Sequence, residues 1–161
     1  MNPIRELVDA LANQYGHSPE SLLPILQGVV RQERYVSDLA MVEIARSLDI
    51  PATHVYGVAT FYSFIPTRPV GKYVIRVCRT ITCMMHGKNQ IVKEIETILK
   101  IRCGETSPDG LFTLLGTNCL GQCHKGPAML INDVPYTELT PKLVRDILLQ
   151  YSSGSFVDLK S

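Results

Sequence analysis

The chain has 161 residues, enough for one ordinary domain or two small ones around a real hydrophobic core. Its 16 Lys plus Arg balance 15 Asp plus Glu, so there is no basic field to concentrate nucleic acid or an anionic membrane surface. The apolar runs fall far short of the ~20 residues that span a bilayer, and the N-terminus is amphipathic and carries acids. Neither membrane insertion nor an export signal is expected, and the cytoplasm is the default compartment. Five cysteines in such a chain point to metal binding rather than disulfides.

All five cysteines lie at or after Cys78, whereas residues 1 to 65 read as short helices, an asymmetry that suggests two units. In the first helix Asn2 caps, Pro3 takes the first position, and Ile4, Leu7, Val8, Leu11 and Tyr15 recur at helical spacing until Gly16. Ser18-Pro19-Glu20 opens a second segment to about Arg34, in which Pro24 is expected to kink or restart the helix. Ser37 and Asp38 begin a third helix with Met41, Ile44, Ala45 and Leu48 inward, and Pro51 begins a fourth with Val55, Val58 and Ala59 leading to Phe61. Two prolines and a glycine over 65–71 mark a linker.

From Lys72 the pattern changes. Tyr73 to Val77 is β-branched and aromatic, reads as a buried strand, and ends directly at Cys78. A crossover helix from about His86 to Arg102 follows, with Ile91, Ile95, Ile98 and Leu99 on one face and Gly104 as its stop. After the turn Ser107 to Gly110, Leu111 to Leu115 is a second strand parallel to the first. Pro127 to Ile131 and Pro135 to Leu139 bracket Asn132-Asp133 as a hairpin, and Thr140-Pro141 caps a last helix with Leu143, Ile147, Leu148 and Tyr151 inward. The expected fold is α/β: an N-terminal helical bundle over 1–65, a thioredoxin-like domain over 72–152, and a mobile tail over 153–161.

The chemistry lies in two pairs, Cys78-Arg-Thr-Ile-Thr-Cys83 and Cys119-Leu-Gly-Gln-Cys123, each following one of the two parallel strands. Parallel strands present their carboxyl ends on one sheet edge, so both loops are expected to converge there and surround one site with four thiols. The spacing matches neither the C-x2-C knuckles of structural zinc nor the crowded run of a 4Fe-4S ferredoxin, and the wider loops suit a 2Fe-2S cluster with two ligands for each iron. Zinc and a dithiol redox site stay open on spacing alone, the latter because Cys83 is expected just before a helix N-terminus able to lower its pKa.

The segments VYGVATFYSF at 55–64, VCRTITC at 77–83 and NCLGQCHKGPAMLIND at 118–133, in that order, resemble the thioredoxin-like 2Fe-2S subunits of NADH dehydrogenases, NAD-linked hydrogenases and NAD-linked formate dehydrogenases. The resemblance covers nearly the whole chain. It implies one 2Fe-2S cluster held by Cys78, Cys83, Cys119 and Cys123. It also implies single-electron exchange with a flavin on an NAD(H)-binding partner subunit, beside further iron–sulfur subunits. The chain itself shows no glycine-rich dinucleotide turn and no arrangement of catalytic side chains. A thioredoxin-like thiol-disulfide oxidoreductase and a zinc-stabilised interaction module are the alternatives.

His124-Lys125 stands after the fourth cysteine, where this family is often small, and a cation there is expected to favour the reduced cluster. Cys103 reads as a small buried residue, and His86 and His124 as surface or supporting groups. Gly57 permits a close approach or is simply tolerated. Gly121 and Gly126 let the second loop turn. Tyr56, Phe61, Tyr62 and Phe64 read first as core and second as a docking surface.

Overall fold

The computed structural model describes residues 2–154, so most of the expected tail, 155–161, lies outside the described residues. The chain divides into two compact units, Met1–Pro69 and Val70–Ser161, each with its own apolar core.

The first unit is helical. Asn2 accepts the Ile4 amide at 3.3 Å and Pro3 needs no donor at the first position, so α1 runs Pro3–Tyr15. A 3-10 turn, Pro19–Ser21, leads into α2, Leu22–Glu33. Pro24 falls within the first turn of α2, where amides have no intrahelical partner, so the helix restarts at Leu22 and accommodates the proline. Ser37 caps α3, Asp38–Leu48, by accepting the Ala40 amide at 3.2 Å, and α4 is Ala52–Phe61. Val8, Leu11, Ile25, Leu26, Ile44 and Val55 meet in the core, and each fully buried aliphatic contributes about 1.5–3 kcal/mol. Gly28 lets α2 approach α1, since a Cβ there would lie 2.6 Å from a methyl of Leu11.

One expectation for this unit is corrected. Tyr56, Phe61 and Phe64 are not core: all three are exposed, Phe61 by 78%. The buried face of α4 is narrow, with Val55 and Ala59 filling it, and the aromatics stand on the other sides. Of the two readings of Gly57, the structure fits the tolerated helix glycine, since a Cβ there would meet open space.

The second unit is a four-stranded sheet in the order β2-β1-β3-β4, with β1 Tyr73–Cys78, β2 Phe112–Thr117, β3 Met129–Ile131 and β4 Val134–Tyr136. Strands β1 and β2 are parallel with Cys78 opposite Thr117, and β3 is antiparallel to β1. The hairpin strands are shorter than expected, and Asn132 supplies the left-handed residue of their turn at φ +53. Ile75, Val77, Phe112, Leu114, Met129 and Ile131 alternate onto one sheet face, where α6, Lys88–Leu99, and α7, Pro141–Ser152, cover them. In α7 the inward residue of the first turn is Val144, while Leu143 is exposed.

The crossover departs most from expectation. The structure inserts a five-residue helix, α5, Ile81–Met85, and separates it from α6 by Gly87 at φ +88. Helix α6 ends at Leu99 rather than near Gly104, because Lys100 takes the left-handed cap position at φ +54. Gly71, expected in the linker, is already docked on the sheet: its amide donates to Thr113 Oγ1 at 2.7 Å. Among the described residues no helix is long and apolar enough to cross a membrane.

Candidate metal centre

The two cysteine loops leave neighbouring strands at the same end of the sheet. Cys78 is the last residue of β1, and Cys119 follows Thr117, the last residue of β2, by two. The Arg79 amide donates to the Thr117 carbonyl at 2.8 Å and the Cys78 amide to the Ala128 carbonyl at 3.3 Å, so the start of the first loop is tied to both neighbouring segments. Helix α5 then turns Cys83 inward, and a 3-10 turn, Cys123–Lys125, carries the last cysteine.

The thiols come together two by two. Cys119 and Cys123 sulfurs lie 3.1 Å apart, and Cys78 and Cys83 are close enough that each shifts the pKa of the other. Among the described residues no three His, Cys, Asp or Glu side chains converge as they would on a single ion. The pairs differ in setting: Cys78 and Cys83 are each 1% exposed, Cys123 is half-buried and Cys119 is exposed.

Donors surround these sulfurs. The Gly121 amide points at Cys119 Sγ at 3.3 Å, a turn made possible by Gly121 at φ +75. The Thr80 hydroxyl lies 3.2 Å from Cys78 Sγ. For the free thiols the consequences diverge. Burial pushes Cys78 up, but hydrogen bonds from the Thr80 side chain and backbone, from Cys83 and from the Leu120 amide outweigh it and leave the thiol below its ordinary pKa. Burial pushes Cys83 up, reinforced by its hydrogen bond to Cys78 and opposed by Thr80 and the Ala128 amide. Cys123 is raised first by its hydrogen bond to Cys119, then by burial and by the charges of Cys119, Cys83 and Cys78.

Several expectations are corrected at this end of the sheet. Cys83 lies inside α5 with a raised pKa, not before a helix N-terminus that lowers it. Cys103 is exposed rather than buried, since the early stop of α6 leaves it in a surface turn, where its amide donates to Glu96 Oε1 at 3.1 Å. Gly126 takes an ordinary extended backbone, and its small size matters because the His86 ring packs on it, 3.3 Å from where a Cβ would lie. His86 and His124 are both on the surface.

Sequence reasoning missed two features. Arg79 lies across Gly116 and reaches Cys103 Sγ with Nη2 at 3.7 Å. Beside them a cavity of about 530 Å³, lined by Val77, Arg79, Lys88, Lys93, Cys103 and Leu114 among others, opens between β2 and α6 and includes none of the paired cysteines. Val77 and Leu114 read only as strand residues in the sequence, Gly116 lies just beyond the expected strand end at Leu115, and nothing there signals the opening.

A parallel pair of strands delivers two thiol pairs to one sheet end of a thioredoxin-like scaffold, where four thiols are the ligand type an iron–sulfur cluster takes. The sequence matches the family model for thioredoxin-like [2Fe-2S] ferredoxins over residues 8–152, and the chain belongs to that family, whose members carry a 2Fe-2S cluster. It is 41% identical over 147 residues to a subunit of the NADH-quinone oxidoreductase of Escherichia coli (strain K12), covering 91% of this chain and 89% of that protein. With the protein of the same name from Buchnera aphidicola subsp. Acyrthosiphon pisum it shares 40% over 149 residues, covering 91% of this chain and 92% of the other. In architecture it is similar to a chain of an NAD+-reducing [NiFe]-hydrogenase, with a TM-score of 0.76 at 19% identity over 90% of this chain. It spans only 25% of that longer chain, and the likeness shows the fold.

Proposed function

We propose that Cys78, Cys83, Cys119 and Cys123 hold the 2Fe-2S cluster and that the chain is the electron-transfer subunit of an NAD(P)H-linked oxidoreductase complex. The observation that carries this reading is the pairing of the sulfurs, Cys78 with Cys83 and Cys119 with Cys123, at the ends of adjacent parallel strands. Two pairs match two irons, and four thiolates supply the ligands such a cluster requires. When bound, the cluster supplies a one-electron acceptor and donor.

The chain's own residues hold that group and shape its surroundings. Amides of Leu120, Gly121 and Ala128 favour negative charge on the sulfurs. Burial of Cys78 and Cys83 keeps water from one side, and the exposure of Cys119 leaves the other open to a redox partner. Because NADH delivers two electrons together and this centre takes one, the partner is a flavin- and NAD(H)-binding subunit, beside further iron–sulfur subunits, in the cytoplasm. The exposed aromatics Tyr56, Phe61 and Phe64 form a docking surface for the complex.

The test is anaerobic. Purified full-length protein contains about two iron and two sulfide per chain, is reduced by dithionite, and stays oxidised with NADH until the flavin-bearing partner is added. Rapid bleaching by NADH in a preparation free of flavin would overturn the division of labour, and colourless protein with dithiol activity would overturn the cluster assignment.

A further inference from the structure

Thr80 occupies the N-cap of α5, the position where a threonine hydroxyl ordinarily accepts a hydrogen bond from an amide in the first helical turn. Here it makes no such bond. Its carbonyl closes the helix by accepting the Met84 amide at 3.1 Å, and its Oγ1 lies instead 3.2 Å from Cys78 Sγ. The hydroxyl is half-buried, and Cys78 beneath it is 1% exposed, so water competes weakly for this contact. Between a free thiol and a hydroxyl either partner can donate. Once Cys78 binds iron its sulfur is a thiolate without a proton, and only Thr80 can be the donor.

We infer that the Thr80 hydroxyl donates a hydrogen bond to the metal-bound Cys78 sulfur and raises the reduction potential of the cluster. This rests on the four-cysteine reading given under the proposed function. One-electron reduction places additional negative charge on the cluster and its sulfurs. A donor to one of those sulfurs therefore binds the reduced form more strongly than the oxidised form, which moves the potential upward. The sulfur is buried, so the contribution is little screened, unlike that of a cation in water. Thr80 is thus a positioning and tuning residue that acts through Cys78.

The test compares full-length cluster-bearing protein with its Thr80→Val and Thr80→Ser variants by redox titration, following the paramagnetic signal of the reduced centre. Valine keeps the shape and removes the donor; because Thr80 makes no side-chain capping bond, no cap is lost with it. The expected result is unchanged iron and sulfide per chain in all three, a midpoint shifted downward in Thr80→Val, and a midpoint restored towards wild type in Thr80→Ser. Equal midpoints for wild type and Thr80→Val, or a serine variant that falls as far as valine, would overturn the inference. Loss of the cluster from both Thr80→Val and Thr80→Ala, with serine retaining it, would also overturn it by making Thr80 a structural residue. Absence of a 2Fe-2S signal from the wild-type chain would instead count against the four-cysteine reading itself.

Discussion

The amide of Gly71 donates to the Thr113 hydroxyl at 2.7 Å, and a Cβ on Gly71 would lie 2.9 Å from the Leu111 carbonyl and the Phe112 nitrogen. The obstruction is backbone, held by the parallel pairing of β1 with β2, so it cannot swing aside as a side-chain end would. Gly71→Ala is expected to destabilise the second unit by roughly 1–3 kcal/mol, the range for overpacking a tight site. Urea unfolding of the cluster-bearing protein measures it, and a midpoint equal to wild type would show that the two chain segments separate at little cost.

Serine at Cys78, Cys83, Cys119 or Cys123 is expected to impair cluster assembly, whereas Cys103→Ser leaves iron and sulfide at the wild-type level. Cys103 sits in a surface turn against Arg79 and Glu96, apart from the paired sulfurs. Iron and sulfide analysis with the visible spectrum checks both outcomes, and loss of the cluster in Cys103→Ser alone would revise the ligand set.

Lys125 ends the turn that carries Cys123, and its side chain is exposed. Its positive charge favours the reduced cluster, so Lys125→Ala is expected to lower the midpoint potential. The shift should be smaller than that of Thr80→Val and should shrink as salt is added, because an exposed charge is screened by the ~10 Å Debye length at 0.1 M. A salt-independent shift, or an upward one, would rule out this origin.

Phe61 is an apolar side chain left in water by α4. Phe61→Ser is expected to change stability by less than about 0.5 kcal/mol, as surface substitutions do, yet to weaken retention of the flavin-bearing subunit on tagged protein isolated from its native cells. Unaltered retention at high salt would remove Phe61 from the docking surface.

How far this architecture is legible in the sequence depends on which forces are local. Caps at Asn2, Ser37 and Thr140 and the strand leading into Cys78 rest on neighbours within a few residues, and they read directly. Helix α5 does not, because Ile81, Met84 and Met85 are largely exposed and leave no inward stripe, only Cys83 being buried. The stop of α6 is hidden for a similar reason: glycine is the expected left-handed cap, and here Lys100 takes that conformation. That early stop places Cys103 on the surface rather than in the core. At the candidate site, the position of the cysteines after parallel strands is sequence-legible, whereas the amides and the Thr80 hydroxyl aimed at the sulfurs depend on how the loops fold back.

The unequal burial of the two sulfur pairs also bears on how the protein is loaded. Handing over a preassembled cluster requires an incoming thiolate to displace one on the carrier, and a thiol that is 1% exposed cannot make that attack from the folded state. On the four-cysteine reading proposed above, Cys119 and Cys123 are therefore expected to meet the carrier first, with Cys78 and Cys83 completing capture once the cluster has entered. Time-resolved transfer should then lose its earliest phase in Cys119→Ser but stall after that phase in Cys83→Ser. The same blocked early phase in both variants would mean that the site opens before it is filled.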